Sequence, residues 1–120
     1  MFFQQGNHQF IPDDAKVISE NVLTVGGLLA TLTPNPGDTG VYLVGMTITM
    51  VHNAERYFWF SQGGFTKLQV IMSHKLPLYF YWSPSGLRLS TGAAAVAFNT
   101  SIRANNFISY LIYWRSGTEA

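Results

Sequence analysis

The sequence predicts an all-β protein, a sandwich or barrel of about eight or nine strands. From Lys16 onward the chain is a series of short apolar runs broken by Gly, Pro, Asn and Ser. Turn signals recur roughly every 8 to 14 residues, the spacing of an antiparallel β fold. No segment sustains a helical period; Gly92–Ala97 is too short for a helix, starts with glycine and leads into Asn99-Thr100.

The strands follow in order. Val17-Ile18 and Val22–Val25 come first, then Leu28–Thr33. Thr33-Pro34-Asn35-Pro36-Gly37-Asp38-Thr39-Gly40 is a loop, because its prolines and glycines exclude both helix and a paired central strand. Val41–Val51 is the longest run, and Met46, Ile48 and Met50 alternate in it with Thr47 and Thr49. That period of two marks a strand with one apolar face. Arg56–Phe60 ends at Ser61-Gln62-Gly63-Gly64; Lys67–Met72, Pro77–Trp82, Leu87–Ser90, Ala95–Thr100 and Asn106–Arg115 complete the set. Ser83-Pro84-Ser85-Gly86 is a tight turn.

Residues 1–14 read as an extended N-terminal arm and residues 15–120 as one β domain. Pro12-Asp13-Asp14 is a turn signal, and the polar run Gln4–Gln9 precedes it. Phe2, Phe3, Phe10 and Ile11 are large apolar groups that a free tail would expose at a cost, so they are candidates for contact with a neighbouring protein.

Composition narrows the function. The chain has 120 residues, 48% of them hydrophobic and 15% aromatic, but only 11% charged. Soluble domains ordinarily carry about 25% charge. Seven basic and six acidic side chains must therefore cover a whole domain, which predicts that part of the surface is covered by something else. Such a chain is far from intrinsic disorder. A net charge of +1 argues against nucleic acid, which needs clustered Lys and Arg. No apolar run reaches the roughly 18 residues of a membrane helix, and the start of the chain lacks the basic and apolar regions of a signal peptide. Without cysteine there is no disulfide, thiolate nucleophile or zinc-thiolate site.

Three runs lack a polar face: Tyr57-Phe58-Trp59-Phe60, Leu78-Tyr79-Phe80-Tyr81-Trp82 and Phe107–Trp114. A two-layer sandwich buries one face of each sheet, so a strand apolar on both parities has a cover on its outer side. Tyrosine tolerates a partly wet position, which places Phe58, Phe60, Leu78 and Phe80 inward. Tyr57, Trp59, Tyr79 and Tyr81 then point outward. Ser109 and Arg115 mark the outward parity of the last strand, so Phe107, Leu111 and Tyr113 join them, while Ile108, Tyr110, Ile112 and Trp114 face the core. Tyr57, Trp59, Tyr79, Tyr81, Phe107, Leu111 and Tyr113 are the candidate subunit interface.

No catalytic set emerges. His8, His52 and His74 lie in separate segments without metal-ligand spacing. Asp13, Asp14 and Asp38 suit turns, and Glu20, Glu55 and Glu119 form no pattern. Asp38-Thr39-Gly40 has the letters of an aspartic-protease triplet but not its hydrophobic frame. Gly26-Gly27 and Gly63-Gly64 lack the Lys-Ser/Thr of a phosphate loop and fit β-turns. The expectation is no enzyme, metal or cofactor. A carbohydrate- or receptor-binding module is the rival reading, with Trp59 beside Tyr57, or Trp82 beside Tyr81, stacking on sugar rings. An oligomer interface is favoured over it, because the aromatic strands carry few side chains to bond sugar hydroxyls.

Leu28–Thr33, the Gly/Pro loop, Val41–Met46, Gly86-Leu87-Arg88-Leu89, the small-residue stretch Thr91–Val96 and the close on Tyr113-Trp114 together form a pattern. It resembles the small jelly-roll virion proteins of tailed phages: head decoration (cement) proteins and related knob domains of head and tail fibres. The resemblance runs from about Asn21 to Arg115. It implies a jelly-roll-like antiparallel sandwich of about eight strands and a homo-oligomer, a trimer first. Such a protein sits outside a phage head on the major capsid protein or another virion protein. It is assembled in the host cytoplasm and needs no cofactor.

Overall fold

The computed structural model describes residues 11–24, 27–50, 56–72, 77–90, 92, 94–101 and 106–118, and for 22–24 and 106 the backbone alone. Within them lie nine strands and no helix. They are β1 (Lys16–Thr24), β2 (Gly27–Leu32), β3 (Gly40–Met50), β4 (Arg56–Gln62), β5 (Phe65–Met72), β6 (Leu78–Tyr81), β7 (Leu87–Arg88), β8 (Val96–Thr100) and β9 (Asn106–Gly117). Two expected runs merge, since Val17-Ile18 and Val22 belong to one strand, β1. Ser61 and Gln62 are strand rather than turn.

The strands form two antiparallel sheets. A five-stranded sheet has the order β1-β9-β3-β6, with β7 also paired to β3; a four-stranded sheet has the order β2-β8-β4-β5. β6 and β7 occupy one strand position along β3, interrupted by the turn at Ser83–Gly86, where the Gly86 amide donates to the Ser83 carbonyl oxygen at 3.1 Å. Counted so, the first strand pairs with the last, the second with the second-last, the third with the sixth position, and the fourth with the fifth. This is a long antiparallel hairpin rolled into two sheets, the eight-position order of a jelly roll.

The slab measures 42 × 38 × 18 Å, the thickness of two sheets about 10 Å apart with their outer side chains. Between the sheets lie Val41, Leu43, Met46, Ile48, Ile108, Ile112 and Trp114 from the larger sheet, against Leu32, Phe58, Phe60, Val96 and Phe98 from the smaller. Phe98 is the hub. Its ring centroid is 6.0 Å from Phe58, 4.8 Å from Phe60 and 5.3 Å from Tyr110 across the sandwich. Tyr110 also reaches the other sheet through its hydroxyl, which donates to the Leu29 carbonyl oxygen at 3.1 Å.

The long central strand has two parities. Val41 and Leu43 face inward at odd numbers, and Met46, Ile48 and Met50 at even ones. The change occurs at Val44, where the β3–β9 register shifts between Leu43 and Gly45. This β-bulge puts two β3 residues opposite one of β9, so β9 alternates unbroken while β3 keeps its apolar side inward along its whole length. The β4–β5 hairpin closes through Gly63 and Gly64, with φ of 58° and 85°. A two-residue turn with both φ positive matches the twist of the flanking strands and admits glycine without a steric penalty.

Replacing Phe98 with alanine removes a side chain that three rings surround. Phe98→Ala is expected to lower unfolding stability by about 3–5 kcal/mol, measured by urea denaturation.

Candidate functional site

The outward parities are the ones expected from sequence. Phe58 and Phe60 are buried, and Leu78 and Phe80 pack on the core. Tyr57 and Tyr79 are exposed, and Trp59 and Tyr81 are half-buried. In β9, Ile108, Tyr110, Ile112 and Trp114 are buried, while Phe107 is exposed and Leu111 and Tyr113 are half-buried. Trp82 is a correction. It packs against the core with its ring stacked on Phe80 at 5.2 Å, so it forms no outward platform with Tyr81.

The seven candidate interface residues divide between opposite faces of the slab. Tyr57 and Trp59 stand on the four-stranded sheet; Tyr79, Tyr81, Phe107, Leu111 and Tyr113 stand on the five-stranded sheet. Of the candidate arm contacts, Ile11 is half-buried, and Phe2, Phe3 and Phe10 lie outside the described residues, as do His8, His52, His74, Glu55 and Glu119.

Cross-strand rows organise the five-stranded face. Val17, Tyr113, Gly45 and Tyr81 form one row, and Ser19, Leu111, Thr47 and Tyr79 the next. Asn21, Ser109 and Thr49 form the third, with Phe107 beyond it on β9. The registers make Tyr81, Tyr113 and Tyr79 one cluster, with Tyr81 and Tyr113 opposite Gly45 and Tyr79 in the next row, and desolvation, then the phenols of Tyr81 and Tyr113, hold Tyr79 above its ordinary pKa. At its centre Gly45 has no room for a side chain: a Cβ there would lie 2.9 Å from the Phe80 carbonyl oxygen. Beside the cluster the surface drops into a depression of about 390 Å³, lined by Ser19, Asn21, Thr47, Thr49, Ser109 and Leu111. It is contiguous with a second hollow that reaches Phe107. The Ser109 hydroxyl donates to Asn21 Oδ1 at 2.9 Å.

The four-stranded face differs in how its polar groups are used. Asn99 Nδ2 donates to Ser61 Oγ at 3.2 Å and to the Ala97 carbonyl oxygen at 3.3 Å. The Tyr57 amide donates to Ser101 Oγ at 2.9 Å, while Gln69, opposite Trp59, is exposed. Around these groups stand Leu28, Tyr57, Trp59 and Ile71, and Leu28 is 61% exposed. The four strands of this sheet contain no carboxylate.

Asp38, read from sequence as a turn aspartate, is a latch. Its carboxylate accepts from Ser116 Oγ at 2.7 Å and Thr118 Oγ1 at 3.1 Å, and Ser116 Oγ accepts from the Asn35 amide at 2.6 Å. The Pro-rich loop is thereby tied to the end of β9, and the triplet's resemblance to a catalytic aspartate has no counterpart here. Among the described residues, no three His, Asp or Glu side chains are grouped to hold a metal ion.

No family model matches the chain, and no curated protein does. Among solved structures the chain is similar to the coat protein of Tobacco streak virus, described as a dimer, at 9% identity over 92% of each chain with a TM-score of 0.37. The jelly-roll assignment stands on the strand order and register.

Burial and the nearby Glu20 carboxylate raise the pKa of Tyr110 above its ordinary value. A phenol that holds its proton more tightly when folded contributes stability that is fully present below the unfolded pKa, about 10, and is lost as pH rises through the folded value. Stability should therefore fall above about pH 10, and Tyr110→Phe should flatten that fall. Urea midpoints of both proteins between neutral and alkaline pH measure it.

Proposed function

We propose that the protein is a structural virion component, a capsid decoration protein that self-associates and attaches to the outside of a phage head. One observation carries the self-association: the outer face of the four-stranded sheet presents Leu28, Tyr57, Trp59 and Ile71 around polar groups already bonded within the fold. Covering such a face removes apolar area from water, worth about 25 cal/mol per Å², against the cost of desolvating the exposed Gln69 opposite Trp59. The absence of carboxylates and the scarcity of cations spare two copies like-charge repulsion.

The opposite face is a poorer self-contact. Its depression is floored by Ser, Thr and Asn groups that a flat partner would bury unpaired or leave as a void. Using both faces at once, head to tail, would stack slabs into an open column rather than close a ring. A closed oligomer, a trimer in this proposal, therefore uses one face, and the four-stranded face suits it.

The virion assignment is an analogy of fold and composition. Jelly-roll strand order, low charge and doubly apolar strands agree with the likeness to phage decoration proteins. In that setting, several weak attachments per oligomer combine into firm seating on the shell, and residues 1–14 are the proposed attachment arm.

Light scattering behind a sizing column is expected to give a mass near three subunits that survives dilution, and Tyr57→Ala with Trp59→Ala should return a folded monomer. A wild-type monomer would remove the self-association. Deleting residues 1–14 should leave the oligomer intact and weaken its binding to phage heads; unchanged binding would remove the arm from the proposal.

A further inference from the structure

The outer face of the five-stranded sheet carries a feature that self-association through the other face leaves open. Its depression has a floor of short polar side chains, Ser19, Thr47, Thr49, Ser109 and Asn21, around Leu111, contributed by three adjacent strands. Aromatic groups bound it: Tyr113 and Tyr81 in the row before the floor, Tyr79, 48% exposed, at the β6 end of the row of Thr47, and Phe107, 51% exposed, beyond Ser109 on β9. The relief follows from the registers: Tyr113 and Tyr81 share a row with Gly45, Ser19, Leu111, Thr47 and Tyr79 stand in the next about 7 Å along the strands, and Asn21, Ser109 and Thr49 in the third. Three strands wide, the trough spans about 10 Å between the outermost of them.

We propose that this trough binds a neutral oligosaccharide. Sugar rings have apolar C–H faces and a rim of hydroxyls, and each part has its counterpart here. Phenol and phenyl faces of Tyr79 and Phe107 take the C–H faces. The hydroxyls meet a floor whose groups can both donate and accept, since Ser and Thr hydroxyls do either. Asn21 is prepared for this role: its Oδ1 accepts from Ser109, which orients the side chain and leaves Nδ2 with two donors for the ligand.

Charge selects against other ligands. Among the described residues no charged side chain stands in the rows that form the trough, so an anionic sugar or phosphate finds no cation there. The nearest cation on β9, Arg115, belongs to another row. Its Nε donates to the Ser85 carbonyl oxygen at 2.9 Å, its guanidinium lies 4.7 Å from the Tyr42 ring centre, and it pairs loosely with Asp14 at 4.0 Å. An amphipathic, uncharged, elongated groove fits a polyol better than a peptide, whose backbone would seek an unpaired strand edge rather than a sheet face.

This site is distinct from the Trp59 platform considered from sequence, and it rests on the proposal above only in leaving the five-stranded face uncovered. The test is calorimetric titration of the full chain with hexamers of β-1,4-glucan, α-1,4-glucan and β-1,4-mannan, with oligogalacturonate as the anionic comparison. At least one neutral hexamer is expected to bind, and oligogalacturonate to bind more weakly. Asn21→Ala and Thr49→Val should each weaken binding about three- to tenfold, the worth of one hydrogen bond. Tyr79→Ala should weaken it by about tenfold or more, with unchanged melting temperature and unchanged solution mass. Failure of all neutral hexamers to bind at millimolar concentration would overturn the proposal, as would loss of binding through Trp59→Ala with Tyr79→Ala unaffected. Dissociation of the oligomer by Tyr79→Ala would also overturn it, by making this face the self-contact.

Discussion

The pairing of β3 with β9 is the constraint on which the rest of the molecule depends. These are the two longest strands, and they lie side by side at the centre of the five-stranded sheet. Their register runs from Gly40 opposite Gly117 to Met50 opposite Ile108. Once it is set, β1 has an edge of β9 to join and β6 and β7 have the far edge of β3. The remaining strands, β2, β4, β5 and β8, then form the second sheet, because both neighbours of the central pair are taken. Asp38 holds this pairing at its open end by bonding Ser116 and Thr118. Pairing first with last and third with last makes most contacts distant in sequence, so the loop-closure entropy must be met before the core rewards it.

The bulge at Val44 is the local adjustment that lets this pairing coexist with a dry core. A strand of eleven residues with strict alternation would have carried either Val41 and Leu43 or Met46, Ile48 and Met50 to the solvent side. One extra residue resolves the conflict, and the Val44 carbonyl oxygen freed there accepts from the Trp82 amide at 2.9 Å. The same bulge sets Gly45 on the outer face between Tyr113 and Tyr81. A core requirement thus shapes the outer surface: the missing side chain gives the tyrosine cluster its centre.

Much of this was legible in the sequence. Alternation in Met46–Met50, the turn residues and the doubly apolar runs predicted strand positions and the side each aromatic faces, because side-chain period and tyrosine's amphipathic nature are local properties. The Val44 bulge was not legible, since Val41-Tyr42-Leu43-Val44 has no polar residue to reveal a change of parity. Nor was the division of the aromatics. Tyr57 and Tyr79 look alike along the chain, and only sheet membership, set by distant pairing, places them on opposite faces. Trp82 was misread because its neighbour Tyr81 was paired with it as one platform, although alternation gives Trp82 the inward parity of Leu78 and Phe80, on whose ring it stacks. The trough escaped notice because Ser19, Asn21, Thr47, Thr49 and Ser109 are unremarkable singly and become one floor only through the registers of three strands.

The scarcity of charge takes on a structural meaning once the described charges are located. Lys16 sits over the Trp114 ring at 5.6 Å, Arg115 over Tyr42, Asp38 in its latch, and Arg88 donates to the Thr39 carbonyl oxygen at 3.2 Å. These groups serve the ends of strands, where backbone and ring partners are within reach, and leave the middles of both faces almost uncharged. A protein stabilised only by its own core would gain nothing from such placement, because scattered surface charge aids solubility at little cost to folding. Two faces with so few charges are instead what the two proposed modes of recognition call for. The four-stranded face offers area without direction, which suits a copy of the chain; the five-stranded face offers direction within a bounded trough, which suits a small polar ligand.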